Sequence, residues 1–503
     1  MTMTSAAGIL AELARLGVSP TGLSADSREL AAGEVFVALP GVNGDGRRYI
    51  EEAVAKGAAA VLWERDGSDA VGAIAVPNLG VEGLTRLSGE IADMVYGRPS
   101  NKLWLIGVSG TNGKTSVSQW IAQALAAQGM PCALVGTLGN GFPGALRPGP
   151  NTTPDAVTLQ RALAGFVAAG AEACAMEVSS IGLAEGRVAT IAFDVAVFTN
   201  LTRDHLDYHA NMEDYGAAKA KLFDMPGIAA AVVNLDDAYG CALGSRLAGR
   251  GVRRYGYTLD GAAALDAQLR DLADELLVAE DLLVTGRGIQ FTARTAQGTA
   301  EVAASLLGRF NAANLLAVLG ALLASGISLA PAAAALARLS PPPGRLQAAT
   351  EAQGEPLVVV DYAHTPDALE QALLTLREVA QARGGRLACL FGCGGGRDPG
   401  KRPLMGIVAA RLADQVLLTS DNPRGESALG IIEDIQRGLP TKLPVEADRA
   451  VAIRRTVLAA SANDVVLIAG KGHETYQETA GVRRPFSDLE QARAALGARR
   501  AAA

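Results

Sequence analysis

Short apolar runs, each followed at once by glycine or polar residues, recur along the chain and predict its strands. The clearest early runs occupy residues 34–39, 103–108, 173–178 and 195–199, with longer stretches of helical periodicity between them. Strands that alternate with helices are typical of a parallel, doubly wound sheet. The chain is therefore predicted to have an α/β fold.

The pattern changes between residues 260 and 327. Two short runs, residues 282–285 and 288–295, have strand composition with no helix between them, and they predict an antiparallel annex to the central sheet. The apolar stretch 315–327 is too short to span a bilayer and predicts a buried helix.

A glycine-rich segment follows the run 103–108. Backbone N–H groups can approach an anion at the two glycines, and the helix predicted after them directs its free N–H groups to the same point. Lys114 then supplies a charge for phosphates, and Thr115 a hydroxyl for Mg²⁺. Val108 occupies the first glycine position of the usual pattern, so the segment is interpreted as a variant P-loop, with an incidental glycine-rich turn as the alternative. The predicted phosphate-binding residues are Gly110, Thr111, Asn112, Gly113, Lys114, Thr115 and Ser116.

A second alternating pattern begins after the proline-rich residues 340–345. Its predicted strands, residues 357–360, 386–391, 415–419 and 464–469, are each followed by a polar cluster. Carboxyl ends of parallel strands meet at one edge of a sheet, so the four clusters should converge there. All four histidines, His205, His209, His364 and His473, fall in strand-end clusters of this kind.

The length of 503 residues is too great for one core. Three domains are predicted: a small N-terminal α/β domain (residues 1–99), a central P-loop domain with a mostly parallel sheet (100–340), and a C-terminal Rossmann-like α/β domain (341–503). Polar and glycine residues at 97–102 and the proline-rich linker at 340–345 mark the boundaries.

Glu177 and His205 follow two strands of the central sheet and are predicted to open onto the edge that carries Thr115. A carboxylate suits a nucleotide-bound Mg²⁺. His205 as a ligand and His205 as a capping or supporting residue are equally favoured. Residues 151–155 look like a capped helix start, with Thr153 or Asp155 as the capping residue. Lys219 alone would be read as a solvated helix lysine.

The net charge of −7 argues against a nucleic-acid-binding protein. Five scattered cysteines without paired spacing suit a reducing cytoplasm and no structural zinc. The first ten residues carry no basic segment before their apolar residues, which argues against a signal peptide. We therefore expect a cytoplasmic protein with no membrane partner, and a monomer by default.

Several of these motifs together resemble the Mur ligase family, ATP-dependent enzymes that add amino acids to the peptide of the bacterial cell-wall precursor. The resemblance covers nearly the whole chain. The motifs that carry it are residues 110–115, 176–180, 199–205, 308–311, 344–345 and 361–364. Within the family, residues 26–28, 151–153 and 421–424 look like those of members that add meso-2,6-diaminopimelate to UDP-N-acetylmuramoyl-L-alanyl-D-glutamate.

The resemblance implies an acyl-phosphate mechanism with ATP, Mg²⁺ and these two further small-molecule substrates. It assigns Lys114, Lys219 and His205 to catalysis, with Lys219 as an N6-carboxylysine. The implied metal ligands are Thr115, Glu177, His205 and Lys219. To the nucleotide it adds Asn311, Arg345, Asp361 and His364. From position alone, an asparagine at a helix entrance such as Asn311 is also typical of a helix cap.

The implied precursor-binding residues are Ser27, Asn151, Thr152, Thr153, Ser180, Glu185 and Arg187. Glu185 replaces a glutamine found in a related enzyme type, and residues 26–28 alone would pass for an ordinary turn. The implied diaminopimelate-binding residues are Arg397, Asp421, Asn422, Pro423, Arg424, Gly470 and Glu474.

Three rival functions remain open at this point. A lysine-adding ligase and a folylpolyglutamate synthetase share the P-loop and the fold, whereas residues 26–28 and 421–424 favour the diaminopimelate reaction. A nucleotide-binding switch without ligase activity would leave the C-terminal clusters without a ligand.

Overall fold

The computed structural model describes residues 5–41, 44–65, 71–261, 269, 271–285, 288–350, 352 and 354–502. The chain divides into two compact units. The first unit comprises Met1–Ser109, Leu125–Ala196 and Ala218–Ala229, and the second unit comprises Gly110–Ala124, Val197–Ala217 and Ala230–Ala503. The predicted boundaries at residues 99 and 340 stay predictions.

The N-terminal part of the first unit contains a parallel four-stranded sheet. Its strands lie in the order Leu23–Ser24, Val35–Ala38, Ala60–Glu64 and Asn78–Val81. Its α-helices are Ala6–Arg15, Ile50–Ala55 and Leu84–Val95. The predicted run 34–39 is therefore a strand, and its alternate side chains enter two different apolar clusters, with Val35 and Val37 in one and Phe36 in the other.

The rest of the first unit holds the strand that leads into the P-loop. Strands Cys132–Gly136, Ala173–Glu177 and Trp104–Ser109 are parallel neighbours, and the short strands Gly139–Phe142 and Ala145–Arg147 extend this sheet in antiparallel fashion. Helices Ala156–Ala168 and Ser180–Ala184 lie wholly in this unit. Three further elements pass from one unit to the other along the chain: helix Lys114–Ala127, strand Val195–Phe198 and helix Met212–Ala220.

The middle part of the second unit contains the predicted annex. Strands Ala230–Asn234, Arg253–Thr258 and Glu275–Thr285 are parallel, whereas Glu275–Thr285, Gly288–Thr295 and Gly298–Ala304 pair in antiparallel order. The annex is thus confirmed. The helices here are Ala238–Arg246, Arg309–Ala324 and Leu329–Leu336. Residues 314–323 of the second helix are all buried, as predicted, but the helix ends at Ala324 and not at residue 327.

The C-terminal part of the second unit is built on one sheet, called the C-terminal sheet below. Its strand order is Gln347–Ala348, Leu357–Asp361, Val465–Ala469, Leu387–Phe391 and Gln415–Leu418, and only the first strand is antiparallel. The four predicted runs are therefore parallel strands whose carboxyl ends share one edge. Helices Pro366–Arg383, Lys401–Leu412, Ala428–Gln436, Arg449–Ala459 and Asp488–Ala502 complete this part, with the hairpin Tyr476–Thr479 and Val482–Pro485.

Both faces of the C-terminal sheet are covered. Val359 and Leu467 contribute to one buried apolar cluster, and their neighbours Val358 and Val466 contribute to another. Successive strand residues point to opposite faces, so a sheet buried on both sides needs such continuous apolar runs. This is the physical reason that these strands stand out in the sequence.

Among the residues that the structure describes, no helix combines the length and the apolar character needed to cross a membrane.

Candidate active site

The two P-loop glycines are required by their surroundings. Gly110 has φ +146°, and a Cβ there would lie 1.9 Å from the Thr199 hydroxyl oxygen. Gly113 has φ +87°, and a Cβ would lie 2.6 Å from the side-chain oxygen of Asn314. Any larger residue would therefore have to displace both its neighbour and its own backbone.

Residues after the strand Val195–Phe198 hold the P-loop in place. The N–H of Thr111 donates to the carbonyl of Asn200 (2.8 Å), and the N–H of Asn112 donates to the Asn200 side-chain oxygen (2.9 Å). The Thr199 hydroxyl donates to the carbonyl of Asn112 (2.6 Å), and the N–H of Thr202 donates to the Thr111 hydroxyl (3.0 Å). This network supports the P-loop interpretation over that of an incidental turn.

The charged and hydroxyl groups of the loop are already arranged around its backbone. Lys114 Nζ donates to the carbonyls of Gly110 (2.9 Å) and Thr111 (2.8 Å). The Thr115 hydroxyl accepts a hydrogen bond from the Arg345 guanidinium (2.9 Å), and Ser116 is buried. The structure thus places Arg345 beside the loop, and its role toward a nucleotide stays a prediction.

Arg345 lies over the ring of Tyr362, with the guanidinium carbon 4.5 Å from the ring centroid. Its Nε is buried and has no hydrogen-bond partner among the described residues. The nearby chain is anchored by Trp120, whose Nε1 donates to the carbonyl of Ser340 (2.9 Å). A planar cation with a spare buried donor is suited to phosphate oxygens.

Asp361 and His364 follow the first parallel strand of the C-terminal sheet. The Asp361 carboxylate accepts from the N–H groups of Leu346 and Ala363 (2.7 Å each), and burial raises its pKa despite those bonds and the charge of Arg345. His364 Nδ1 lies 2.8 Å from the Tyr362 carbonyl. Asp361 therefore shapes the turn that carries Arg345 and His364.

Sequence analysis missed the role of Asp204, a buried carboxylate. Its oxygens lie 3.5 Å from His205 Nε2, 3.6 Å from His364 Nε2 and 3.4 Å from Lys401 Nζ. Burial alone would raise the pKa of Asp204, but its interactions with His364, His205 and Lys401 hold that pKa well below its usual value. The ionised carboxylate therefore lies close to both imidazoles and to the Lys401 ammonium.

His205 itself adopts a left-handed backbone conformation with φ +54°, which is uncommon for a residue with a side chain. Arg203, two residues earlier, pairs with the buried carboxylate of Asp398 (3.0 Å). Asn112 of the P-loop donates to Asp367 (2.8 Å). The phosphate loop and the strand-end residues of the C-terminal sheet thus meet through several polar contacts.

Asn311 lies near the start of helix Arg309–Ala324, where its side-chain amide donates to the Leu307 carbonyl (2.8 Å) and its oxygen accepts from Asn314 (3.0 Å). These contacts are not a cap, because Gly308 is the N-cap residue of this helix and no side-chain hydrogen bond caps it. The role of Asn311 toward a nucleotide stays a prediction.

Glu177, in the first unit, ends the strand Ala173–Glu177 and is buried. One carboxylate oxygen accepts from the N–H of Thr137 (2.8 Å), and the other accepts from the Thr137 hydroxyl (3.1 Å). Gly136 makes room, since a Cβ there would lie 2.3 Å from Glu177 Oε1. These contacts fix the orientation of the Glu177 carboxylate.

The predicted precursor residues of the first unit cluster around Thr153. Its hydroxyl donates to the Glu177 carbonyl (2.9 Å), and its own carbonyl accepts from Arg187 (2.7 Å). Arg187 pairs with Glu185 (2.6 Å). The Thr152 hydroxyl lies 3.0 Å from that of Thr137. Ser180 is buried, Asn151 is exposed, and Asp155 caps helix Ala156–Ala168 as one of the two predicted alternatives.

Ser27 is buried, and its carbonyl accepts from Lys56 Nζ (2.8 Å), while Arg28 pairs with Asp26 (2.6 Å).

The expectation from sequence alone that Lys219 is a solvated helix lysine is wrong. Lys219 is only 1% exposed. The helix Met212–Ala220 is rich in small residues, so its sequence does not show which face is covered.

At the carboxyl edge of the C-terminal sheet, Lys471 joins two predicted site residues. Its buried ammonium donates to Glu474 (2.8 Å) and to the side-chain oxygen of Asn422 (3.1 Å). The Asn422 amide also donates to Glu474 (2.8 Å). Sequence analysis did not assign Lys471, although it occupies one of the four strand-end clusters.

Arg424 lies beside the glycine run after strand Leu387–Phe391, where it donates to the Gly395 carbonyl (2.8 Å). A Cβ on Gly394 would lie 2.9 Å from its guanidinium, and Pro423 before it is buried. Asp421 packs so closely on Gly470 that a Cβ there would lie 2.5 Å from its carboxylate. The Arg397 side chain is exposed, so this predicted residue reaches into solvent.

Comparison with known proteins identifies the family. Family models match residues 20–96 (Mur ligase family, catalytic domain), 108–322 (Mur ligase middle domain) and 344–472 (Mur ligase, glutamate ligase domain). A relative from Chromobacterium violaceum, named UDP-N-acetylmuramoyl-L-alanyl-D-glutamate--2,6-diaminopimelate ligase, is 50% identical over 97% of this chain and 96% of its own. A relative of the same name from Ectopseudomonas mendocina is 50% identical over 97% of both chains.

A solved structure of a protein of that name is 37% identical, covers 96% of each chain and superposes with a TM-score of 0.62. The predicted α/β fold class is confirmed by these matches and by the parallel sheets described above. The chain belongs to the Mur ligase family.

Proposed function

We propose that this protein joins meso-2,6-diaminopimelate to the γ-carboxylate of the D-glutamyl residue of UDP-N-acetylmuramoyl-L-alanyl-D-glutamate, with ATP as the energy source. The observation that carries the proposal is the group formed by Arg424, Asn422, Lys471 and Glu474 at the carboxyl edge of the C-terminal sheet. It lies in a chain whose relatives carry the name of this ligase.

The chemistry of this group suits diaminopimelate better than lysine. Diaminopimelate carries a second carboxylate at the end where lysine has only an amine. Arg424 offers a planar fork for a carboxylate, and Glu474 offers an anion for the neighbouring ammonium. Lysine would leave the guanidinium without its anion and bring a second cation near it.

The reaction proceeds in two steps. A carboxylate oxygen of the D-glutamyl residue attacks the γ-phosphorus of ATP, a P–O bond forms, the bond to the bridging oxygen breaks, and ADP leaves. The diaminopimelate amine then attacks the acyl carbon, a C–N bond forms, phosphate departs with the C–O electron pair, and the amine loses a proton. Lys114 and Arg345 offset charge on the phosphoryl oxygens.

Magnesium is the proposed cofactor, and the donor set fits it. Mg²⁺ prefers oxygen, keeps several waters and takes one or two carboxylates together with substrate phosphates. The Thr115 hydroxyl and the Glu177 carboxylate are buried oxygen donors of the kind that Mg²⁺ prefers. Bound magnesium neutralises phosphoryl charge, and its proposed ligands are Thr115, Glu177, His205 and Lys219.

Lys219 is proposed to carry a carbamate. The uncharged amine attacks the carbon of CO₂, an N–C bond forms and one proton is released to solvent. The burial of Lys219 supports this assignment, because burying an ammonium is costly and a carbamate can act as a metal ligand. Carbon-13 NMR of protein equilibrated with labelled bicarbonate should show one carbamate resonance that is absent from Lys219→Ala.

The remaining assignments follow from the family resemblance and from the contacts of each residue. Nucleotide binding is proposed for Gly110, Thr111, Asn112, Gly113, Lys114, Thr115, Ser116, Asn311, Arg345, Asp361 and His364. Precursor binding is proposed for Ser27, Asn151, Thr152, Thr153, Ser180, Glu185 and Arg187. Diaminopimelate binding is proposed for Arg397, Asp421, Asn422, Pro423, Arg424, Gly470 and Glu474.

We also propose that residues 1–99 bind the precursor, that residues 100–340 bind ATP and that residues 341–503 bind the amino acid, in a cytoplasmic monomer. Light scattering of the purified chain measures the oligomeric state. A mass of two chains in solution would contradict the proposed monomer.

Product mass tests the function directly. The protein is incubated with ATP, Mg²⁺ and UDP-N-acetylmuramoyl-L-alanyl-D-glutamate, with equal meso-diaminopimelate and L-lysine. We expect a tripeptide that carries diaminopimelate, with one ADP per product. A lysine product would identify the lysine-adding rival, turnover of a folate substrate instead would identify the synthetase rival, and ATP binding without turnover would identify a switch.

A further inference from the structure

A fully buried ion pair lies beneath the carboxyl edge of the C-terminal sheet. Arg449 Nε and one terminal nitrogen donate to the two carboxylate oxygens of Asp488 (2.7 Å each), and both side chains are 0% exposed. Arg449 begins helix Arg449–Ala459, and Asp488 begins helix Asp488–Ala502. The pair is therefore bidentate and entirely removed from water.

The other contacts of the Arg449 guanidinium reach two backbone carbonyls. One terminal nitrogen donates to Ser420 (3.1 Å) and the other donates to Ala469 (2.9 Å). Ser420 comes directly before residues 421–424, and Ala469 directly before residues 470–474. Arg449 thus holds the backbone at the start of both segments that carry the proposed diaminopimelate residues.

Sheet pairing does not fix these two segments to each other. Strands Val465–Ala469 and Gln415–Leu418 are separated by strand Leu387–Phe391. Lys471 links the segments through the side chains of Asn422 and Glu474, whereas Arg449 links their main chains. The Arg449 guanidinium, which is paired with Asp488, thus bridges the two carbonyls.

Stability alone gives little reason for such a pair, since well-packed apolar residues often replace a buried ion pair without loss. Holding the backbone of two binding segments in place would be a more specific reason for this ion pair. We propose that Arg449 is a positioning residue that fixes the two amino-acid-binding segments relative to each other, and thereby sets the affinity for the amine substrate. This inference rests on the proposed function, although Arg449 touches no substrate.

Arg449→Lys is the main test variant, because it keeps the charge and loses the fork that reaches two carbonyls and a carboxylate at once. We expect the KM for diaminopimelate to rise at least about tenfold, while the KM values for ATP and the precursor stay within about twofold. Asp488→Asn is the second variant, which loses only the anion that orients the guanidinium. It should raise the same KM by a smaller factor.

Arg377→Lys is the matched control. Arg377 pairs with Asp414 (2.6 Å) and donates to the Leu412 carbonyl (2.7 Å), at the opposite, amino edge of the same sheet. Assays are run at a temperature where melting curves show every variant to be folded. The control should lower the melting temperature and leave the KM for diaminopimelate unchanged.

Amide hydrogen exchange provides a readout that needs no turnover. In Arg449→Lys, peptides covering residues 420–424 and 469–474 should exchange faster, and the P-loop should keep its wild-type rate. Equal changes in all three KM values, or no selective change in these peptides, would overturn the proposal. If wild-type protein does not use diaminopimelate, the proposed function fails, but the exchange data still decide whether Arg449 positions the two segments.

Discussion

Arg345 donates a hydrogen bond to the hydroxyl of Thr115 across 2.9 Å, although the two residues are 230 positions apart in the sequence. Thr115 lies in the first turn of helix Lys114–Ala127, and Arg345 follows the proline-rich linker. The guanidinium is supported by the ring of Tyr362 beneath it. Arg345, which leads into the C-terminal sheet, therefore contacts the phosphate loop directly.

Replacing Arg345 by lysine is expected to weaken ATP binding. Lysine keeps the charge but cannot donate in a fork or stack on Tyr362 in the same way. Losing a charge-assisted hydrogen bond of about 1.5–3 kcal/mol corresponds to a rise of roughly 10–100-fold in the KM for ATP. Steady-state kinetics with ATP varied measures it. Arg338→Lys, at an exposed position nearby, is the control, and an unchanged KM in Arg345→Lys would remove Arg345 from the nucleotide site.

Replacing Lys471 by methionine is expected to weaken diaminopimelate binding. Methionine fills a similar volume but removes the ammonium that holds Glu474 and Asn422. We expect the KM for diaminopimelate to rise by about tenfold or more, because Glu474 loses its charged partner in a buried setting. The KM for ATP should stay within about twofold. Lys442→Met, on an exposed side chain, should change neither constant, and a selective loss of ATP binding in Lys471→Met would contradict this assignment.

The Asp414–Arg377 pair should make stability depend on pH in one direction. The hydrogen bond from Arg377 holds the pKa of Asp414 below its usual value. At pH values between the folded and the unfolded pKa of Asp414, the unfolded state binds more protons than the folded state. The contribution of the pair to the free energy of unfolding is therefore complete above about pH 4, and it disappears as the pH falls through the folded pKa.

Melting temperatures of wild type and Asp414→Asn between pH 7 and pH 3 measure this effect. The wild type should melt higher at neutral pH, and the difference should shrink below about pH 4. Glu433→Gln, on an exposed side chain, is the control. The difference in melting temperature between this variant and the wild type should not shrink as the pH falls below about 4. A difference for Asp414→Asn that stays constant down to pH 3 would show that the pair does not stabilise the fold through ionisation.

The sheets could be predicted because the burial of their strands produces local runs of apolar residues in the sequence. The run 103–108 corresponds to strand Trp104–Ser109, and the run 357–360 corresponds to Leu357–Asp361, because strands covered on both faces need unbroken apolar residues. The P-loop could be predicted for a related reason. Gly110 and Gly113 have positive φ values, and a glycine in the sequence is itself the usual sign of such a backbone conformation.

Contacts between distant residues left no comparable signal. Arg203 and Asp398 are 195 positions apart, and Lys401 and Asp204 are 197 positions apart, so no periodicity could pair them. Lys219 was misjudged because a helix of small residues around one lysine gives no direction to its faces, and packing alone decides its burial. Arg449 was missed for a different reason, because an arginine at a helix start is usually exposed.

Arg424 provides the sharpest test of amino-acid selectivity. Its backbone is left-handed, with φ +53°, and the hairpin holds it there: its N–H donates to the Glu478 carbonyl (3.0 Å), and its carbonyl accepts from the N–H of Ala480 (2.6 Å). This fixed backbone directs the guanidinium toward the glycine run of Gly394 and Gly395. The left-handed backbone of Arg424 is strained, and backbone strain of this kind is typical of a functional position.

We therefore expect Arg424→Lys to lower the preference for diaminopimelate over lysine by roughly 10–100-fold, because a point charge replaces a fork that can bind a carboxylate in two places. The measurement is the ratio of the two products when both amino acids compete at equal concentration. Arg483→Lys, on an exposed side chain of the same hairpin, is the control and should keep the wild-type ratio. An unchanged product ratio in Arg424→Lys would mean that another residue recognises the distal carboxylate, and the exposed Arg397 would be the next candidate.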